Sequence, residues 1–427
     1  MGPGAGAGRQ CRTRRPRQPH SAAREVPRRE EGVTASRSGT PTGSAPLAKL
    51  RVLDLSELLP GPYATSLLAD LGAEVLKVER PGGDNARAIA PDMVEALNRG
   101  KRSICIDLKT EPGRAVLHQL AERSDVLVEG FRPGVTRRLG VDYESLRSLN
   151  PRLIYASVSG YGASGPNSLR PGHDLNYLSA AGVVGLSQRG GAPTHDVNIP
   201  VADIAGSMFT VVSILAALAQ RERDGRGQFL DVAIADAALH WTTPRLGPWL
   251  AARARGTAAG AGLPRQPAYG VYPTADGLYL SIAAIEDAFF GRLVAALGLT
   301  ALQVPELARH HDRVAHAARV DAAIADCLRR EPLAHWAALF DAEDIPYAPV
   351  KSLDDVLADP HYRARGMVDE VEDQPRLRFP VPLRNLSAQR AKAPAVGEHT
   401  EAILAELGLP ADALGSSRQD QPGDPSP

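Results

Sequence analysis

From Leu50 onward the chain alternates short apolar runs with helical stretches, and this rhythm restricts the fold more than any other feature. Leu50-Arg51-Val52-Leu53-Asp54-Leu55 reads as a strand. Gly61 to Leu71 reads as a helix with Tyr63, Leu67, Leu68 and Leu71 on one face, and Ala73 to Val78 as the next strand. The unit is a βαβ crossover. It returns in Ser103 to Leu108, in a helix led by Pro112 with Val116, Leu117 and Leu120 turned inward, in Val126-Leu127-Val128 and in Leu153 to Val158. Strands about 25 residues apart and joined by helices predict an α/β fold with a mostly parallel sheet. Such sheets take ligands beyond the carboxyl ends of their strands.

Composition narrows the class further. A chain of 427 residues, 43% apolar and 23% charged, suits a soluble globular protein of about two domains. Its most apolar window, Ile204 to Ala219, is short for a bilayer and holds Gly206, Ser207, Thr210 and Ser213, so it reads as a core helix. Three scattered cysteines, Cys11, Cys105 and Cys327, indicate neither a disulfide framework nor a metal site and fit a reducing cytoplasm. A net charge of zero argues against nucleic acid or a membrane as the main partner.

Residues 1–44 are rich in Gly, Pro, Ser and Arg, without the periodicity that buries a core, and read as disordered. A nucleic-acid arm, a targeting peptide or residues upstream of the true start are the alternatives. The segment lacks an h-region and an amphipathic Arg/Ser helix. Residues 410–427 read as a second disordered end.

Basic residues flank the predicted strands: Arg80, Arg99, Lys101, Arg102, Lys109, Arg132 and Arg138. Singly, each is an ordinary solvated charge; together they can line a cationic crevice for a phosphorylated ligand. Arg80-Pro81-Gly82-Gly83-Asp84 follows a strand without opening a G-x-G-x-x-G helix, which argues against a nicotinamide site.

The middle of the chain holds the candidates for chemistry. Ser159-Gly160-Tyr161-Gly162-Ala163-Ser164-Gly165-Pro166 can only be a loop, and it delivers Pro171-Gly172-His173-Asp174 to a short helix. Asp203 precedes a helix whose Met208, Val211, Val212, Leu215 and Leu218 form a predicted buried stripe. On its own Asp203 reads as an N-cap, held as an anion by the helix dipole and free N–H groups. A histidine and a carboxylate brought to opposite sides of one carbon make an acid/base pair.

Leu59-Pro60-Gly61-Pro62-Tyr63-Ala64-Thr65 and Leu68-Ala69-Asp70-Leu71-Gly72-Ala73-Glu74-Val75-Leu76-Lys77-Val78-Glu79-Arg80-Pro81-Gly82-Gly83-Asp84 resemble the opening of the family III coenzyme A transferases, which include the α-methylacyl-CoA racemases. So do Asn98-Arg99-Gly100-Lys101-Arg102-Ser103, Asp107-Leu108-Lys109, Phe131-Arg132-Pro133-Gly134-Val135, Asn150-Pro151-Arg152-Leu153-Ile154-Tyr155, Asp359-Pro360-His361 and Gly397-Glu398-His399-Thr400, all in the family's order.

The resemblance implies a Rossmann-like large domain built from residues 45–235 and 342–409, a smaller α+β domain at 241–341, and an interlocked homodimer. It implies CoA thioesters as substrates and no cofactor beyond coenzyme A. Arg80, Lys109, Phe131, Arg132 and Arg138 match positions that hold CoA, although Gly130 stands where the transferases often carry Asn.

Asp203 falls on the family's catalytic aspartate, which serves two chemistries. In the transferases it attacks the thioester carbonyl and forms a mixed anhydride. In the racemases it exchanges the proton α to that carbonyl, opposite a histidine. His173, in Gly172-His173-Asp174-Leu175-Asn176-Tyr177, matches the racemase motif, and Glu286, in Ala284-Ile285-Glu286, matches a glutamate that supports the histidine. Leu263-Pro264-Arg265-Gln266-Pro267-Ala268-Tyr269 departs from the racemases, and Asp344-Ile345-Pro346-Tyr347-Ala348-Pro349-Val350 reads more like the transferases. Racemase therefore leads, with CoA transferase as the alternative, in which Asp174 is the second carboxylate. A non-catalytic CoA-binding protein is a third reading, but it should have lost Asp203 or the cationic positions.

Overall fold

The computed structural model describes residues 44–189, 192–193, 198–256, 266–372, 374–386 and 391–414. Contacts divide the chain into two compact units, parting at Leu263 and Arg363. Most of residues 1–44, much of the tail after 410 and the Leu263-Pro264-Arg265 segment lie outside the described residues.

In the first unit β1 (Arg51–Leu55), β2 (Glu74–Glu79), β3 (Arg102–Cys105), β4 (Val126–Glu129), β5 (Ile154–Ser159) and β6 (Phe229–Ala233) form one sheet. Their order is β3-β2-β1-β4-β5-β6, with every neighbouring pair parallel. Val52, Val75, Val126, Val128, Ile154 and Val158 pack on one face, with α1 (Pro60–Asp70) and the long helix α4 (Val201–Asp224). Leu53, Leu55, Leu127 and Tyr155 pack on the other, with Val116, Leu117 and Leu120 of α2 (Glu111–Glu122) and with α9 (Thr400–Leu407). Each such side chain taken from water contributes about 1.5–3 kcal/mol. Covering both faces is what a parallel sheet requires. The βαβ rhythm of the sequence is thus carried into the fold, with most strand ends shifted by one residue; β3 ends at Cys105, three residues short of the expected Leu108, and β6 is a strand the rhythm did not mark.

Two sequence expectations for α4 need correction. The helix has 24 residues and is apolar enough in its composition to cross a membrane, although the sequence window looked too short. Its sheet-facing side packs on the core through Val211, Ile214 and Ala217, and its last turn buries Arg221 against Asp125 at 3.0 Å. The buried stripe is also displaced, because the helix is apolar nearly all round and periodicity could not choose the inner face. Of the expected stripe Val211 is buried and Leu218 packs partly buried on the core, while Met208, Val212 and Leu215 are exposed; Ala202, Ala205, Gly206, Ile214 and Ala217 complete the inner face.

The motif Gly397-Glu398-His399-Thr400 covers the free edge of the sheet. Ser103 N–H donates to His399 Nδ1 at 3.2 Å and Cys105 N–H to Thr400 Oγ1 at 3.2 Å, so side chains occupy donors that a further strand could otherwise pair.

In the second unit β7 (Tyr269–Pro273) and β8 (Tyr279–Ala283) form an antiparallel hairpin. β9 (Tyr347–Pro349) pairs antiparallel with β8. This pairing carries the unit past Asp341, where the sequence reading placed its end. Helices α6 (Asp287–Ala296), α7 (Ala317–Leu328) and α8 (Leu333–Ala342) close a core around Leu293, Val320, Ile324 and Phe340.

Candidate active site

The strand order reverses direction between β1 and β4, so the loops leaving these two strands diverge at the carboxyl edge, where open α/β sheets bind ligands.

Buried charges hold the loop leaving β1. Asp54 Oδ1 accepts from the Ser56 N–H at 3.1 Å, and Lys77 Nζ donates to the Ser56 carbonyl at 2.9 Å. Asp84 pairs with Lys77 at 3.0 Å and accepts from the N–H of Leu58 at 3.1 Å. Leu58 sits at φ 65°, a left-handed conformation that costs a non-glycine residue about 1–2 kcal/mol, and the Asp84 bond holds it there. Lys101 Nζ donates to Asp54 at 2.9 Å, Thr65 Oγ1 at 2.8 Å, Asn98 at 2.9 Å and the Pro62 carbonyl at 3.0 Å. Burial alone would raise the Asp54 carboxyl, but the charges of Lys101 and Lys77 outweigh it and hold the group below the usual carboxylate range.

This network corrects the expected set of crevice cations. Arg99 and Lys101 precede β3 and Arg102 is its first residue, so all three belong to its amino side. Lys101 is buried, Arg99 forks onto Asp70 at 2.7 and 3.0 Å, and Arg102 pairs with Glu406 at 2.7 Å. The signal for the buried network was a charged residue inside each apolar run, Asp54 in Val52–Leu55 and Lys77 in Val75–Val78.

Beyond the strand ends the structure places the other candidates. Arg80 leaves β2 and is exposed, but it is engaged by Glu57 at 3.2 Å and by Asn85. Lys109 follows β3, and Arg132 and Arg138 follow β4; all three are exposed, and none forms an ion pair among the described residues. Phe131 packs half-buried on the core beside them. A cation free of protein partners keeps its charge for a phosphate.

The loop after β5 aims the chemistry. Tyr177, in α3 (Asp174–Ala180), lays its ring against Gly160 and Gly172, where an added Cβ would meet Tyr177 Cε1 at 2.5 and 2.7 Å. Its hydroxyl donates to the Gly172 carbonyl at 2.5 Å, and the Asn176 side chain accepts from the His173 N–H at 3.0 Å. Both bonds fix the backbone of Gly172-His173 at the start of α3. His173 stands there exposed.

Asp174 reaches from α3 to the first turn of α4, where its Oδ1 accepts from the N–H groups of Ala202 at 2.7 Å and Asp203 at 3.1 Å. This changes the reading of Asp203. It is the third residue of α4 rather than its N-cap, and the free N–H groups expected to hold its charge are taken by Asp174. Burial, and then the charge of Asp174, push the Asp203 carboxyl up to about 7. Burial, followed by Asp203 and Tyr161, pushes the Tyr177 phenol up to about 12.

Glu286 lies in the second unit, exposed, at the residue before α6, and makes no side-chain cap bond. The buried Arg313 holds the backbone around it, donating to the Ile285 carbonyl at 2.7 Å and to Asp287 at 2.7 Å.

The sequence model of CoA-transferase family III matches residues 47–400. The α-methylacyl-CoA racemase of Homo sapiens is 37% identical over 373 residues, covering 85% of this chain and 94% of that protein. The succinate–glutarate CoA-transferase of Agrobacterium fabrum is 35% identical over 388 residues, covering 86% and 97%. Among solved structures, a CaiB/BaiF family protein from Brucella suis has a TM-score of 0.76 at 32% identity, covering 86% of this chain and 100% of that one. The α/β sheet, the ordered motifs and these matches together make the chain an enzyme of CoA-transferase family III, with relatives named both as racemases and as CoA-transferases.

Proposed function

We propose that this enzyme interconverts the epimers of a 2-methylacyl-CoA by 1,1-proton transfer at the α-carbon. Lys109, Arg132 and Arg138, with Arg80 after release from Glu57, take the phosphates of CoA, and Phe131 packs on its adenine. One of His173 and Asp203 removes the α-proton, leaving an enolate of the thioester. The other gives a proton to the opposite face, so one C–H bond breaks and one forms with no net redox change.

The observation that carries this reading is the Asp203 carboxyl, pushed up to about 7 while Asp174 is engaged by backbone N–H groups. An acid/base group works best when its pKa lies near the operating pH. A nucleophilic carboxylate attacks in its ionised form, which a carboxyl at about 7 also supplies in part, so His173 in the racemase motif is what separates the two readings. The transferase reading keeps its own support in the near-equal similarity to a named CoA-transferase.

The test is incubation with a 2-methylacyl-CoA in D₂O, following deuterium at the α-carbon by NMR. Exchange and epimerisation should vanish in both His173→Ala and Asp203→Ala. Absence of exchange across several branched thioesters, with CoA passing to an added carboxylic acid and Asp203 alone essential, establishes the transferase instead.

We further propose a homodimer, interlocked as in the family. Met208, Val212 and Leu215 of α4 are exposed, as are Leu246 and Leu250 of α5 (Thr243–Ala254). Apolar surface of this kind marks an interaction face. Val212→Lys should shift the sedimenting species toward monomer; an unchanged mass places the interface elsewhere.

A further inference from the structure

Glu129, the last residue of β4, is a buried carboxyl that the chemistry above does not use. In the parallel register it pairs with Ser157 of β5, and Ser157 pairs with Asp231 of β6, so the three side chains form one rung across the sheet. Partners across a strand pair project to the same face of the sheet.

Each carboxylate of this rung grips a different loop. Glu129 Oε2 accepts from the Phe131 N–H at 2.7 Å, with the Ser157 hydroxyl also bonded to the carboxyl, which closes the turn that presents Phe131 and Arg132. Asp231 accepts from the Ala163 N–H with both oxygens, at 2.9 and 3.1 Å, in the loop that leads to His173 and Asp174. That loop turns through Gly162 at φ 83° and Gly165 at φ 92°, so little in its own backbone restrains it.

We propose that Glu129 and Asp231 are positioning residues with separate tasks: Glu129 sets the Phe131-Arg132 clamp for CoA, and Asp231 sets the approach of the His173-Asp174 segment. The inference rests on the assignment of Phe131 and Arg132 to CoA binding. A half-buried N–H left without its acceptor weakens the equilibrium that depends on it by about tenfold. Losing the Glu129 bond should therefore raise KM for the CoA thioester about tenfold with kcat nearly unchanged. Losing the bond from the exposed Asp231, where water can replace part of it, should lower kcat by about threefold with KM nearly unchanged.

The experiment compares steady-state kinetics, and the Kd of free CoA by calorimetry, for the full-length protein and its Glu129→Gln, Glu129→Asp and Asp231→Ala variants. Gln keeps an acceptor at the reach of Phe131 N–H, whereas Asp keeps the charge but withdraws it by one methylene. The expected order is Gln near wild type and Asp impaired in KM and Kd. The reverse order means that charge and not reach matters, and overturns the proposal. So does an Asp231→Ala variant that loses affinity instead of turnover. Phe131→Ala and Arg132→Ala run alongside. If they leave the Kd for CoA unchanged, the CoA assignment itself fails, whereas weakened binding there with an unaffected Glu129→Asp removes only the role of Glu129.

Discussion

Replacing Asp203 with Asn should make the protein more stable, and increasingly so as the pH rises. The carboxyl is raised from 3.8 to about 7 by burial and by the charge of Asp174. Above the unfolded value, the folded protein therefore holds a proton that the unfolded chain has released. Stability is highest below about pH 4 and falls as the pH climbs to about 7, beyond which the loss is complete. A shift of roughly three units at about 1.36 kcal/mol each gives a ceiling of about 4 kcal/mol. Asp203 is only half-buried, so water reduces this to about 1–2 kcal/mol.

Asn carries no such linkage. Urea denaturation of wild type and Asp203→Asn at about pH 5 and pH 8 should show an advantage for the variant that is about 1 kcal/mol larger at pH 8. Asp174→Asn keeps an acceptor for the Ala202 and Asp203 N–H groups but removes the neighbouring charge, so it should flatten the wild-type slope in part. An Asp203→Asn variant whose advantage is the same at both pH values, or that is less stable at both, would refute the reasoning.

Three further outcomes follow from the geometry. Lys101→Met leaves Asp54 buried without its partner and should lower stability by about 3–5 kcal/mol in urea denaturation, whereas adding Asp54→Leu should restore most of it. Gly397→Ala should cost about 2 kcal/mol, because φ is 67° and the new Cβ would meet Cys105 Cβ at 2.8 Å and Thr400 Oγ1 at 2.9 Å; a thermal melt reads the loss. Gly172→Ala drives a methyl to 2.7 Å from the ring of the buried Tyr177 and should displace His173, lowering turnover at least tenfold in steady-state kinetics and stability by about 1–3 kcal/mol.

Much of the fold was legible in the order of residues. Apolar periodicity of two kinds marked the strands and helices, because strand and helix each expose a fixed repeat to the core. The alternation of the two marked the parallel sheet, because a parallel connection has to cross over. The motifs from Leu59 to Thr400 carried the family, and the placement of Lys109, Arg132 and Arg138 after strands put them at the carboxyl edge by topology alone.

Tertiary structure decided what periodicity and proximity in sequence cannot. α4 is apolar nearly all round, so only packing against the sheet selected Ile214 and Ala217 as inner residues over Met208, Val212 and Leu215. Lys101 looked like a crevice cation until the fold brought it against Asp54, 47 residues away. Asp203 looked like a charged cap until Asp174, 29 residues earlier, took its N–H and left its carboxyl beside a like charge. A sequence states which groups a chain owns. Their protonation and their partners depend on distances and burial, which exist only once the chain has closed on itself.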